Sequence, residues 1–331
     1  MEDKIVGKDS IELISENYID YSKYTSKTRS YSGIYDGLKE SYRHLIYASK
    51  SYNKHLVKAP TIIGETMKYS AHGDSSVEGV LKSCGCPYGN FPLYDTHGNW
   101  GGRGFPAAAP RYIECKISRR AELMYLNFLD YADWIDGETG LKEPEYLPSL
   151  LPYSLLSGNT SIPVGMPVPN IPPLNCMQLI DFYIATLTNS EKHYPIPDVG
   201  ECYIDLNRKE VENMSRLGKG KIWYRAKVVR ESSNTLVLLS QTPKNGFSKA
   251  VDRCQSWIDN NQVEYYDESG ISGDRHVFII PDKSSVTLDQ LEDKINRAMN
   301  CSLTYTFIFE DNGNAVYCGL DHVVSKSLEL S

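Results

Sequence analysis

Apolar residues recur at helical spacing over residues 9–24 (DSIELISENYIDYSKY), with Asp9 or Ser10 placed to cap the first turn. The same period returns over 36–50 (DGLKESYRHLIYASK), where Leu38, Tyr42, Leu45 and Ile46 share one face. Two shorter helices are predicted around 60–69 and 74–83, the second capped by Asp74 or Ser75. From Pro87 to Pro110 the chain is rich in Gly, Pro, Asn and aromatic residues, which fits loop and short strand rather than helix. Helices followed by an extended, turn-rich segment predict a helix-turn-helix with a wing.

Residues 143–173 contain eight prolines, too many for a helix, yet the stretch is too apolar for a solvated linker, so ordered extended chain is expected. A helix over 174–188 follows. Strands are then predicted at Glu201–Leu206, Ile222–Arg230, Thr235–Ser240, His276–Ile280 and Leu303–Phe309. Helices near 246–261 and 287–299 interrupt them, so the fold class is α+β. Neither an internal repeat nor a low-complexity tract is evident.

The chain of 331 residues can bury a sizeable core and leads to an expectation of about two domains. It has no apolar run near the ~20 residues of a membrane span, and MEDKIVGKDS lacks a signal core, so an intracellular, cytoplasmic protein is expected. Eight scattered cysteines fit reduced thiols. Cys84 and Cys86 have no matching pair downstream, and no metal site is expected in this chain. Charge is uneven despite the formal net of −7. Residues 23–120 hold fifteen Lys and Arg against seven Asp and Glu, whereas residues 121–331 hold eighteen against twenty-nine. One basic block in an acidic chain is suited to meeting a polyanion.

A set of motifs sharpens that picture: Arg29, DGLK at 36–39 with Arg43, GETMKYSAHGDSS at 64–76, GNWG at 98–101, AAAPRYIE at 107–114 and IPVGMPVPNIPP at 162–173. Farther on come GKGKIWYRAK at 218–227 and DESGISGDRHVFI at 267–279. In order and spacing these resemble the DNA-cleaving A subunit of type IIA topoisomerases: gyrase, topoisomerase IV and their viral relatives, bacteriophage enzymes included. The resemblance implies an N-terminal arm helix over 1–24, a winged-helix DNA-gate domain over 25–145 and an α+β tower domain over 146–325. A stub over 326–331 would mark the start of a coiled coil.

The resemblance makes Tyr112 the nucleophile, attacking a DNA phosphate to form a 5′-phosphotyrosyl ester while a 3′-hydroxyl leaves. The ester keeps the energy of the broken bond, so resealing needs no outside source. A free phenol has a pKa of about 10 and requires activation, and the developing charge requires cations. Arg111 and Arg29 are the implied catalytic partners, each with a planar donor fork suited to phosphate. Lys39, Arg43, His44, Lys68, His72, Ser75 and Arg103 are the implied DNA contacts, and Ile162 the implied wedge between base pairs. Two positions depart from the family pattern: Ser70 stands where a histidine is usual, and His44 where a second arginine follows Arg43.

Several parts of such a machine are not evident in the sequence. Asp20, Asp130 and Asp133 form no DxD cluster of a toprim domain, and no Walker-type loop is present. A toprim/ATPase B-type subunit is therefore the expected partner, supplying the Mg²⁺ site and binding ATP, with the chain a homodimer within a heterotetramer. The coiled-coil exit gate and the gyrase-type wrapping domain are expected to be absent, which favours relaxation or decatenation as the ATP-dependent activity. The alternative is a non-catalytic winged-helix regulator or decoy that kept the DNA surface.

Overall fold

The computed structural model describes residues 9–87, 89–102, 106–198, 200–205, 208–270 and 273–329. In chain order the helices and strands are α1 (Ser10–Thr25), β1 (Ser32–Gly33), α2 (Glu40–Ala48), β2 (Val57–Lys58), α3 (Ala59–Thr66), α4 (Asp74–Gly85), β3 (Tyr94–His97) and β4 (Glu114–Ile117). Next come α5 (Arg119–Ala121), β5 (Trp134–Asp136), β6 (Lys142–Pro144), α6 (Tyr153–Ser157), β7 (Asn159–Thr160), β8 (Asn170–Ile171) and α7 (Cys176–Leu187). The remainder are β9 (Tyr203–Asp205), α8 (Arg208–Leu217), β10 (Lys219–Arg225), β11 (Val228–Arg230), β12 (Thr235–Leu238), α9 (Phe247–Asp259), β13 (Glu264–Asp267), β14 (His276–Ile279), α10 (Leu288–Met299), β15 (Cys301–Thr306), β16 (Ile308–Asp311), β17 (Asn314–Tyr317) and α11 (Leu320–Leu328). The mixture is α+β, as the periodicity predicts. No helix among the described residues is long and apolar enough to cross a membrane.

Contacts divide the chain into two compact units, Met1–Ile196 with Arg216–Gly218 and Thr306–Ser331, and Pro197–Ser215 with Lys219–Tyr305. The division does not fall at residue 146. Residues 146–196 stay with the first unit because their backbone bonds lead back into it: the Tyr153 and Ser154 amides donate to the Asp36 and Gly37 carbonyls at 2.9 and 3.0 Å.

In the first unit, α2, α3 and α4 pack around Leu45, Ile46, Ile62, Val77 and Leu81, all fully or nearly fully buried. The strands β2, β4 and β3 form an antiparallel sheet in that spatial order, pairing Val57 with Cys115 and Thr96 with Cys115. That sheet is the wing. The helix predicted over 36–50 begins only at Glu40, because the Asp36 carboxylate takes the Leu38 amide at 2.9 Å and holds a turn before the helix. By contrast α1 follows its sequence signal, with Asp9 capping Ile11, but buries only Ser22 and leaves Ile11, Ile14 and Tyr18 exposed. Residues 143–173 are ordered as expected, except that Tyr153–Ser157 close into a short helix.

In the second unit an antiparallel sheet in the order β11-β12-β14-β13 is covered by α9 and α10. Leu236, Leu238 and Phe278 from the sheet meet Ala250, Cys254, Leu291, Ile295 and Met299 from the helices. Thr287 and Gln290 close a reciprocal capping box at the start of α10. The helix α8 and strand β13 are additions to the elements predicted from sequence.

Candidate nucleic-acid interface

Pro60 occupies the first turn of α3, where its missing N–H costs nothing, and Thr66 closes the far end by donating to the Ile62 carbonyl at 2.7 Å. The turn after it ends where Ser70 Oγ accepts the His72 amide at 3.2 Å. The next helix, α4, buries Val77, Leu81 and Cys84 at helical spacing and leaves Ser75, Ser76 and Gly79 outside that apolar face. Ser75 therefore lies on an outward face at the N-terminus of the second helix of a helix-turn-helix, where backbone N–H groups favour anions.

The wing presents the Arg-Tyr pair. Ala109, Pro110 and Arg111 form a tight turn in which the Tyr112 amide donates to Ala109 O at 2.9 Å. Ile113 then plunges into the core and accepts the Ala59 amide at 3.1 Å, tying the turn to the start of α3. With its neighbour anchored, Tyr112 is left 63% exposed, and the Arg111 guanidinium stands over its ring at 4.7 Å. GNWG supports the same turn. Asn99 O accepts the Ala108 amide, Gly98 and Gly101 take positive φ, and buried Trp100 lies so close to Gly85 that a β-carbon there would meet its ring at 2.6 Å.

Arg29 and His72 form a second pair, with Nη2 at 3.2 Å from Nδ1. Burial first, and the Arg29 charge second, hold the imidazole below its ordinary pKa, so it is neutral near pH 7 and accepts from the guanidinium. Ile162 is 86% exposed in the loop joining β7 to β8. Ser161 Oγ donates to Ser30 O at 2.6 Å, and Tyr31 Oη donates to Pro167 O at 2.8 Å. The loop is thus clamped on both sides of an isoleucine that stands out in solvent.

Other residues named from the sequence fall elsewhere. Arg43 is turned inward: its Nε donates to Asp36 Oδ2 at 2.8 Å, with the carboxylate fully buried and the guanidinium mostly covered. Asp36 also takes the Leu38 and Leu147 amides, while Gly37, at φ +68°, sits where a β-carbon would strike the Tyr153 nitrogen at 2.3 Å. The DGLK turn is a structural hub. His44 is buried as well, with Nε2 at 3.0 Å from Glu143 Oε2. Lys39 is half-buried, and desolvation lowers its pKa to about 8. Lys68 is exposed but paired with Glu65 at 2.8 Å. Arg103 lies outside the described residues.

Free basic charge is accordingly less than the count over 23–120 implies, since Lys58, Lys82, Lys116 and Arg119 are paired with Glu114, Glu78, Asp95 and Glu122. Sequence reasoning also passed over Glu40 and Glu143, which the fold gathers round His44. The available signal was the DGETG turn at 136–140, a hairpin mark that places Glu143 on the returning strand.

The family model for the A subunit of DNA gyrase and topoisomerase IV matches residues 29–331. The A subunit of topoisomerase 4 from Pseudomonas aeruginosa is 30% identical over 302 residues, covering 85% of this chain and 40% of that protein. The A subunit of DNA gyrase from Salmonella typhimurium is 31% identical over 237 residues, 67% of this chain and 27% of that protein. For the topoisomerase 4 A subunit of Escherichia coli the identity is 28% over 316 residues, 89% of this chain and 42% of that protein. The chain thus spans about a quarter to two fifths of the length of these curated relatives.

Proposed function

The chain belongs to the DNA gyrase/topoisomerase IV A-subunit family, and on that premise we propose that it cleaves and rejoins duplex DNA as the A-type component of an ATP-dependent type II topoisomerase. The observation that carries the reading is Tyr112, set out in solvent on an anchored turn with Arg111 against its ring. Tyr112 Oη attacks phosphorus and gives up its proton. The bond from phosphorus to the 3′-oxygen breaks, that oxygen gains a proton, and the 5′ end stays on the tyrosine. Reversal reseals the strand. Arg111 supplies fixed positive charge over the ring of the attacking tyrosine, and Arg29, paired with His72, supplies a second donor fork for phosphate.

Ser75 lines the helix face turned to DNA, and Ile162 inserts between base pairs, so sites are selected by deformability rather than base contacts. Mg²⁺ in this reading belongs to a partner. It prefers oxygen ligands, whereas the one candidate cluster among the described residues includes a buried histidine. The exposed apolar side chains of α1 support contact with a toprim/ATPase partner, which also binds ATP, in a cytoplasmic heterotetramer built on a homodimer of this chain.

The test is detergent trapping of the chain on end-labelled duplex DNA with Mg²⁺ and that partner. Wild type should give DNA–protein adducts on 5′ ends, and Tyr112→Phe none. Equal DNA binding without adducts in both would replace this reading with a non-catalytic winged-helix regulator.

A further inference from the structure

Glu40 and His44 stand one turn apart on α2, so both side chains leave the same face of the helix. Glu143 reaches them from β6, brought round by the hairpin turn in which the Gly137 amide donates to Leu141 O at 2.9 Å. A β-carbon at Gly137 would lie 2.6 Å from Glu143 Oε2, so a larger residue there would push this carboxylate out of its present position. The donor atoms of Glu40, His44 and Glu143 all lie within 4.8 Å of one another.

Two observations set this group apart from an ordinary ion pair. Glu143 and His44 are each only 6% exposed, yet Glu143 Oε2 and His44 Nδ1 have no hydrogen-bond partner. The His44 Nε2 contact at 3.0 Å is close, but no hydrogen bond is formed across it. An imidazolium here would bury an unsatisfied donor at Nδ1, which is costly. Glu40 and Glu143 also border a cavity of about 190 Å³ whose walls add Asp136, Glu138, Glu145 and Glu310. Its basic wall residues are Lys27 and Arg43, and Arg43 is already spent on Asp36. Two carboxylates and an imidazole beside surplus negative charge form a donor set that a divalent cation would balance.

We propose that Glu40, His44 and Glu143 form a binding site for a first-row divalent transition cation of the zinc type. One imidazole with two carboxylates is a donor set such ions accept, and Mg²⁺ is disfavoured by the nitrogen ligand. Ligand atoms around a tetrahedral zinc stand roughly 3.4 Å apart, so closure asks for a movement of about 1 Å, which half-exposed Glu40 can make by changing rotamer. A bound cation would clip α2 to the β5–β6 hairpin.

The test is titration of the chelator-treated full chain with Zn²⁺, followed by calorimetry and thermal melting, with Co²⁺ as a spectroscopic probe. One Zn²⁺ per chain, a raised Tm and a visible Co²⁺ band are expected. Glu40→Gln, which is half-exposed and should fold, should weaken binding at least tenfold, and His44→Gln should abolish the Co²⁺ band. No rise in Tm with Zn²⁺, or a rise that both variants retain, would overturn the site. An equal rise with Mg²⁺ at the same concentration would do so too.

Discussion

The DGLK turn and the Arg-Tyr turn are both marked by family motifs, yet they use their charged residues in opposite ways. At the first, Asp36 and His44 are buried, Arg43 is mostly covered, and both carboxylate oxygens of Asp36 are engaged. At the second, Arg111 and Tyr112 are held out in solvent beside buried neighbours, Ile113 and Trp100. A motif therefore tells which residues matter, and burial tells whether they matter for the fold or for the ligand. An arginine whose Nε and Nη2 are held by an internal carboxylate has fewer donors left to offer a phosphate.

Substitution puts this contrast at risk. Arg43→Ala leaves Asp36 as an uncompensated buried charge and should cost about 3–5 kcal/mol, read as a lowered Tm. If Arg43 were a surface DNA contact, stability would hold and only affinity would fall. Ile162→Ala should do the reverse. It should leave chemical denaturation within about 0.5 kcal/mol of wild type, because the side chain stands in solvent. Cleavage of unbent duplex should fall by about tenfold, the loss expected when ~1–2 kcal/mol of wedge contact is removed. Unchanged cleavage on relaxed DNA would remove the wedge from the mechanism.

Lys39 probes the intermediate case. Its folded pKa of about 8 lies below that of an unfolded lysine, so between about pH 8 and 10 the unfolded chain binds more protons. Stability should therefore rise with pH through that window. Lys39→Met should flatten the rise, as followed by urea midpoints, and a flat wild-type profile would show that the amine is solvated.

The helix-turn-helix, the wing and the turn-rich segment that carries Arg111 and Tyr112 were legible in the sequence, because local spacing and turn residues specify them. Ser75 and Val77 fall on opposite faces of α4 by period alone. The burial of Arg43 and His44 was not legible. Nothing in residue type says that an arginine will fold back on Asp36, or that Glu143 will arrive beside a histidine almost a hundred residues earlier. The late start of α2 had the same cause, a side chain competing for a backbone amide. Nor could the division at Ile196 be read in advance, since it depends on where the Tyr153 and Ser154 amides find partners.

The mechanism stands or falls on Tyr112 alone becoming bonded to DNA. Trapped adducts, digested with nuclease and protease, can be mapped by mass spectrometry. Tyr131 serves as an internal control, being even more exposed at 77%, whereas it is Tyr112 that has an arginine over its ring. A phosphonucleotide is expected on the peptide carrying Tyr112 and none on that carrying Tyr131. A modified Tyr131, or label spread over several exposed tyrosines, would refute the assignment.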